Sequence, residues 1–318
     1  FNAHQRAPER EEFAAGIMET LTGLAANNAE LALKIAENWQ KIESDNVFSR
    51  RILAGISGMP AESGDDRLYA EKLFDNFAAT YDETLERLNP QITAEFLRQH
   101  GAVKGTVLDL GCGTGLAAQA LKTADSIFDG ADISAKMLEA ARRKGVYRSL
   151  YQADVTALLQ DMAAGAAVKP IAATAAAEMP AGTEANTAVP HNGYTLIIAF
   201  DVFCYMGNLE DVLSAAADLM RRADGKQAES RKTKAAPSSD NGTPELWFTT
   251  ESADEERGND FYLTAAGRYK HRRQYVEKAL HKAGFTEIDA YPLTLRQENG
   301  ENVAGVLFRA ANPGKGGN

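Results

Sequence analysis

From Val107 to Gly115 the chain reads Val-Leu-Asp-Leu-Gly-Cys-Gly-Thr-Gly, an apolar run that enters a glycine loop, with a helical pattern opening at Leu116. A strand that ends in a tight glycine turn and feeds a helix is the first half of a βαβ unit, so a parallel sheet covered by helices is expected. Gly111 and Gly113 permit sharp turning and close approach of a ligand, and the free N–H groups at the start of the next helix favour an anionic group nearby. Loops of this kind serve several nucleotides. A dinucleotide fingerprint needs a glycine at position 116, where Leu116 stands, and the Lys-Ser/Thr pair of a P-loop is absent.

The chain beyond the loop continues the same alternation. Further strand candidates are Ser126–Ala131, Ser149–Gln152, Tyr194–Phe200 and Leu246–Thr250, each separated by helical stretches or inserts. Phe285–Tyr291 and Val303–Arg309 flank a polar turn segment, Gln297–Asn302, and read as an antiparallel hairpin that makes the sheet mixed at one edge. Open α/β sheets bind ligands at the carboxyl ends of their strands, and four successive runs deliver Asp109, Asp132, Asp154 and Asp201 to that edge. An acid after the second strand suits a ribose diol. Asp154 after the third suits an exocyclic amine, with Val155 beside it as a backbone donor. Each Asp taken singly is more often a helix cap or turn residue than a ligand contact; four in order after a glycine loop point to one site.

Residues 8–57 carry helical periodicity. Phe13, Ile17, Leu21 and Leu24 form one stripe, Leu31, Ile35, Trp39 and Ile42 a second, and Phe48, Ile52 and Ile56 a third, with breaks at Asn27-Asn28 and Ser44-Asp45-Asn46. Three short helices are expected. Next, Leu68–Leu88 recurs in apolar residues at Leu73, Phe77, Tyr81 and Leu85, and Ile92–His100 follows before the first strand. The organisation read from this is a helical region over 1–57, a linker over 58–67, an α/β domain over 68–311, and a disordered tail over 312–318. Two low-complexity inserts, 163–192 and 224–244, are expected to be flexible loops, because neither holds enough large apolar residues to offset its ordering entropy.

The run Asp109–Gly115, with Asp132, Asp154 and Asp201 in sequence, resembles the class I S-adenosylmethionine-dependent methyltransferases. More specifically the chain is similar, over about residues 68–309, to bacterial methyltransferases that follow tetratricopeptide repeats. The pieces that carry this are Leu73–Asp82, Arg143–Tyr147, Asp201–Tyr205, Gly267–His271 and Val303–Phe308. The resemblance implies a doubly wound, seven-stranded Rossmann-like sheet of order 3-2-1-4-5-7-6 with strand 7 antiparallel, plus a small N-terminal helical lobe that corresponds to the tail of a repeat array. It implies S-adenosylmethionine as cofactor, held by Asp109, Gly111, Cys112, Gly113, Asp132, Ile133, Asp154, Val155 and Asp201. Tyr81 would close over the methionine end of the cofactor; its alternative reading is a core tyrosine. The sequence departs from the pattern before the fifth strand, where an insert replaces a Gly-Gly turn.

A sulfonium methyl is already activated, so transfer requires mainly in-line positioning and exclusion of water. Where the acceptor must lose a proton, the base candidates are Tyr205, Glu251 and His271, and the cluster Arg268–Arg273 is a candidate binder of an acceptor carboxylate or phosphate at the charged start of a helix. The acceptor itself, small molecule or protein, is not named by these residues. A helical interaction module that binds the cofactor without turnover stays open, and a dinucleotide oxidoreductase is disfavoured by Leu116.

The balance of 44 acidic against 34 basic side chains, a formal charge of -10, disfavours nucleic acid as a partner. Cys112 and Cys204 stand far apart in no metal-ligand spacing, which excludes a zinc site and fits a cytoplasmic protein in a reducing compartment. No apolar run reaches the roughly 18 to 20 residues of a spanning helix, so no membrane association is expected. The N-terminal helices are the expected face for a protein partner, and because the chain opens at Phe1, further repeats upstream stay open.

Overall fold

Val107, Leu108 and Leu110 are all fully buried, on both faces of the strand they share, which is what a parallel strand covered by helices on each side requires. In the computed structural model the chain is described over residues 7–62, 64–82, 90–173, 193–232, 243–254, 257–298 and 301–313. The strands are β1 (Gly105–Leu110), β2 (Ser126–Asp132), β3 (Tyr147–Gln152), β4 (Ala172–Ala173), β5 (Tyr194–Ala199), β6 (Glu245–Ser252), β7 (Phe261–Leu263), β8 (Tyr269–His271), β9 (Phe285–Glu298) and β10 (Glu301–Pro313). They form one sheet whose main path is β4-β3-β2-β1-β5-β6-β10-β9. Without the short β4 this is the expected 3-2-1-4-5-7-6 order, and β10 is antiparallel to both β6 and β9. The register sets Asp109 opposite both Gly130 and Ile198, and Asp132 opposite Gln152. The carboxyl ends of β1, β2, β3 and β5 therefore finish along one edge.

Helices α1 (Ala7–Asn27), α2 (Ala29–Ile42) and α3 (Val47–Ser57) precede the sheet, followed by α4 (Asp65–Phe77) and α5 (Pro90–His100). After β1 come α6 (Leu116–Leu121), α7 (Ala135–Lys144), α8 (Val155–Ala164), α9 (Glu210–Lys232) and α10 (Arg273–Ala283). One face of the sheet packs Leu108 and Leu110 against Leu158 and Leu159 of α8, Leu213 of α9 and Val276 of α10. The other packs Val107 against Phe96 of α5, Leu121 of α6 and Leu138 of α7. Among the described residues no helix is long and apolar enough to cross a membrane.

The second and third N-terminal helices, α2 and α3, start where the asparagines place them: Leu31 N donates to Asn28 Oδ1 over 3.1 Å and Phe48 N to Asn46 Oδ1 over 2.9 Å, two side-chain N-caps. The core shared by α1, α2 and α3 contains Leu21, Trp39, Phe48, Ile52 and Tyr69 of α4. On α2 the expected stripe keeps Trp39 in the core but is otherwise displaced. Ala32, Ala36 and Trp39 are buried while Leu31, Ile35 and Ile42 are exposed, because small alanines let α2 approach α1 and α3 closely. The side chain of Phe13 lies outside the described residues.

These helices lie directly on the turn between β7 and β8. A Cβ on Gly55 of α3 would stand 2.1 Å from the Thr264 carbonyl oxygen, and Thr22 Oγ1 donates to Ala265 O over 3.1 Å. Arg51, with no exposed surface, donates from Nε to Gly267 O over 2.7 Å, pairs with Asp66, and lies over the rings of Tyr69 and Tyr269.

Several expectations need correction. The single helix over 68–88 is instead α4, beginning earlier at Asp65 and closed by a turn in which Thr80 N donates to Phe77 O; Leu85 lies outside the described residues. The inserts are partly ordered: α8 reaches Ala164, β4 pairs with β3, and α9 extends to Lys232 through Lys226-Gln227-Ala228-Glu229, strong helix formers. Residues 174–192 and 233–242 lie outside the described residues. The hairpin strands β9 and β10 are longer than expected, and β10 runs to Pro313, into the segment read as a tail.

Candidate functional site

At the carboxyl edge of the sheet lies a cavity of about 300 Å³ lined by Gly111, Gly113, Asp132, Ile133, Asp154, Val155 and Asp201 on the sheet side, and by Arg67, Ala70, Phe74, Tyr81, Tyr205 and Asn208 on the other. Gly111 has φ +61° and Gly113 φ +54°, left-handed backbone that favours glycine. A Cβ on Gly111 would come within 2.4 Å of Val202 Cγ2, so Val202 packs against the loop only because that position is bare. A larger groove of about 660 Å³ opens at the opposite edge, beside Gly105, Thr195 and Glu245. It lies at the amino ends of the strands, and its Arg309 is committed to Glu245 and Asp289, so the carboxyl-edge cavity is the candidate site.

Asp132 is the best-held acid. Its Oδ2 accepts from Gly113 N and its Oδ1 from Ser134 N, each over 2.8 Å. Burial pushes its carboxyl up to about 6 despite these hydrogen bonds. A carboxylate offers about four acceptor sites, so capacity remains for a diol. Asp154 caps α8, its Oδ1 accepting from Thr156 N and Ala157 N over 3.0 Å each. The cap and the cavity position coexist. Ser134, cap of α7, donates from Oγ to Asp75 Oδ1 over 2.5 Å, and this ties α4 to the end of β2.

Asp109 and Cys112 are placed differently from the expectation. Neither lines the cavity. Asp109 lies beneath the glycine loop, where Tyr147 Oη donates to its Oδ2 over 2.7 Å and burial pushes its carboxyl up to about 7. Cys112 is buried, with its N donating to Ala131 O over 2.9 Å, and burial raises its thiol. Both shape the loop from below.

Asp201 reaches the cavity with φ +60°, an uncommon conformation for a residue other than glycine. Its Oδ1 accepts from Arg296 Nη1 over 2.7 Å. Arg296 also donates to Glu298 over 2.6 Å and to Glu251, and Arg268 joins Glu251 over 2.9 Å and Glu298. Two arginines thus bind three acids in a network behind the cavity. Glu251, a base candidate, and Arg268, a candidate anion binder, are both consumed there.

His271 does not reach the cavity either. It forms part of β8, where a charged helix start was expected, and its ring is buried with Nε2 2.9 Å from Met206 O and 3.0 Å from Gly207 O. Two carbonyl acceptors make Nε2 the protonated nitrogen. Burial, only partly opposed by those carbonyls, lowers the imidazole to about 4, so His271 is a neutral support behind the Met206–Gly207 wall.

Two tyrosines face the cavity. Tyr81 stands over Gly113, whose built Cβ would be 3.4 Å from Tyr81 Cε1. Asp82 next to it is fixed by Lys144 over 2.7 Å and by the Thr114 hydroxyl. Phe74 meets Tyr81 edge-on with ring centroids 6.2 Å apart and Tyr205 at 5.1 Å. Burial pushes both tyrosine hydroxyls well above their ordinary value of 10. Arg67, Ala70 and Phe74 were not anticipated; their spacing on one face of α4 was the available signal.

A family model described as Methyltransferase domain matches residues 81–289. No curated protein sequence matches the chain. Among solved structures, the chain is similar to magnesium protoporphyrin IX methyltransferase from Synechocystis with bound SAM, at 15% identity, covering 87% of this chain and 97% of that one with a TM-score of 0.40. It is similar to the N-methyltransferase NodS from Bradyrhizobium japonicum with bound S-adenosylhomocysteine at 16% identity, covering 77% and 99% with a TM-score of 0.45. A phosphoethanolamine N-methyltransferase from Haemonchus contortus is matched at 14% identity, covering 80% and 61% with a TM-score of 0.48.

Proposed function

Because this chain belongs to the family described as Methyltransferase domain, we propose that it transfers the methyl group of S-adenosylmethionine to a small-molecule or protein acceptor in the carboxyl-edge cavity. The observation that carries this is the convergence of Gly111, Gly113, Asp132, Asp154 and Asp201 on one cavity under Tyr81. The donor set fits the cofactor: the bare loop admits close approach, Asp132 has spare acceptor capacity for a diol, and Asp154 with Val155 offers an acceptor beside a helix N-terminus. When bound, S-adenosylmethionine supplies a methyl group already activated on sulfur, released to an acceptor lone pair while the carbon–sulfur electron pair stays on sulfur.

The chain's own residues then bind, orient and exclude water. Glu251 is held by two arginines, His271 is walled off, and Tyr205 is poorly suited to lose its proton. No base role falls to these three. The finer assignment to the repeat-associated branch, and a protein partner on the N-terminal helices, belong to the same proposal; Leu31, Ile35 and Ile42, exposed on α2, support the latter.

Calorimetric titration with S-adenosylhomocysteine tests the reading, with NADH as control. Micromolar binding by the wild type that weakens at least about tenfold in Asp132→Asn is the expected result, the scale of a lost hydrogen bond between charged and neutral groups. Preference for NADH, or no binding, overturns it.

A further inference from the structure

The outer wall of the cavity is made by α4, and its chemistry is uneven. Asp65 is taken by Arg50 and Asp66 by Arg51, both reaching across from α3. The next residue, Arg67, is exposed at the cavity, and among the described residues it has no acidic partner and is the one basic side chain in the lining. Arg67, Ala70 and Phe74 recur on a single face of α4. Seven residues of helix put Arg67 about 10 Å along the axis from Phe74, while Phe74 meets Tyr81, the residue over Gly113. Arg67, exposed on the first turn of α4, therefore stands toward the mouth and the glycine loop toward the far end. Asn208 lines the same cavity, with its Oδ1 engaged by Glu210 N over 2.8 Å and by Tyr275 Oη over 3.1 Å. What Asn208 has left to offer is its amide N–H.

We propose that the methyl acceptor is an organic anion, with a carboxylate or phosphate bound by Arg67 at the mouth and a flat apolar body lying against Phe74 and Tyr205, a proposal that rests on the methyltransferase reading. Planar guanidinium groups match either oxyanion, and an aromatic wall matches a flat body. The anion is held at the end away from the glycine loop, so the methyl group goes to the opposite end of the acceptor. This assigns to Arg67 the role first given to the Arg268–Arg273 cluster, whose Arg268 is spent within the protein.

The test is titration of S-adenosylhomocysteine-loaded protein with a matched series: 4-hydroxyphenylacetate, its amide, tyramine and phenyl phosphate. One of the two oxyanions should bind at least about tenfold more tightly than the amide and the amine, the scale of a charge-assisted hydrogen bond. In Arg67→Gln that preference should collapse with melting temperature and S-adenosylhomocysteine affinity unchanged. The lead of one oxyanion over the other says which group is read, and either counts in favour. Equal or tighter binding of the amide or amine, or binding of neither oxyanion, overturns the proposal. So does a comparable loss of S-adenosylhomocysteine affinity in Arg67→Gln, which would give Arg67 to the cofactor. Failure of the wild type to bind S-adenosylhomocysteine sinks the underlying reading; normal binding without anion preference sinks this one alone.

Discussion

Tyr147 Oη donates a 2.7 Å hydrogen bond to Asp109 Oδ2 beneath the glycine loop, so the first acid of the motif supports the loop instead of facing the cavity. Burial raises its carboxyl from 3.8 to about 7. The folded state binds this proton more tightly than the unfolded chain, so the group's contribution to stability is complete below about pH 4 and is lost as pH rises through about 7. Asp109→Asn keeps an acceptor for Tyr147 and removes the titration. Melting temperatures between about pH 5 and 8 should show the wild type losing stability relative to Asp109→Asn as pH rises. A constant difference would mean the carboxyl is ionised throughout.

Gly111→Ala introduces two costs. The φ of +61° penalises any Cβ by about 1–2 kcal/mol, and the 2.4 Å approach to Val202 adds overpacking of about 1–3 kcal/mol. Only the second is relieved by Val202→Ala. A double-mutant cycle by urea unfolding should therefore show favourable coupling between the two substitutions of about 1–3 kcal/mol; additive effects would place Val202 elsewhere.

The sheet was legible because burial on both faces writes itself as continuous apolar runs, and β1, β2 and β5 fall within about two residues of where Val107, Phe128 and Ile197 indicate. The β7–β8 pair was not, because three-residue strands are too short to display alternation. Arg268 and Arg296 are both paired with Glu251, distant from each in sequence, and Arg268 with Glu298; only the Arg296–Glu298 pair, two residues apart on β9, is local. The acids at the strand ends were legible as a set. Whether each side chain turns into the cavity or beneath it depends on partners from other segments: Asp132 is held by Gly113 N, whereas Asp109 accepts from Tyr147, two strands away.

Arg296 joins Asp201, Glu251 and Glu298. Arg296→Met leaves Asp201 without a cation and sets Arg268 alone against Glu251 and Glu298, so negative charge is left uncompensated, and such a change costs about 3–5 kcal/mol. Adding Glu251→Gln removes one stranded charge and should recover part of the loss in the same urea experiment. No recovery would show that packing of the Arg296 stem, not its charge, matters.

His271 is held neutral, with its imidazole lowered to about 4 from 6.5. Stability from this arrangement is present above about pH 6.5 and is lost as pH falls through about 4. The ring resonances in an NMR titration should stay those of the Nε2-protonated neutral form down to about pH 5. S-adenosylhomocysteine affinity of His271→Gln should follow the wild type between about pH 6 and 8, since the ring is not in the cavity. Ring titration near 6.5 would return His271 to the list of general bases.

On α2 the residues that look like core and those that are core differ by one position. Leu31 is 44% exposed and Ala32 fully buried, although hydrophobicity alone ranks them the other way. Small-to-large substitution in a packed site costs about 1–3 kcal/mol, whereas change at an exposed site stays within about 0.5 kcal/mol. Ala32→Leu should therefore destabilise the protein and Leu31→Ala should not, measured by thermal or urea unfolding of the full chain. The reverse ranking would mean that α2 is rotated about its axis, with Leu31, Ile35 and Ile42 facing α1 and α3, and it would remove the exposed apolar face offered for a protein partner.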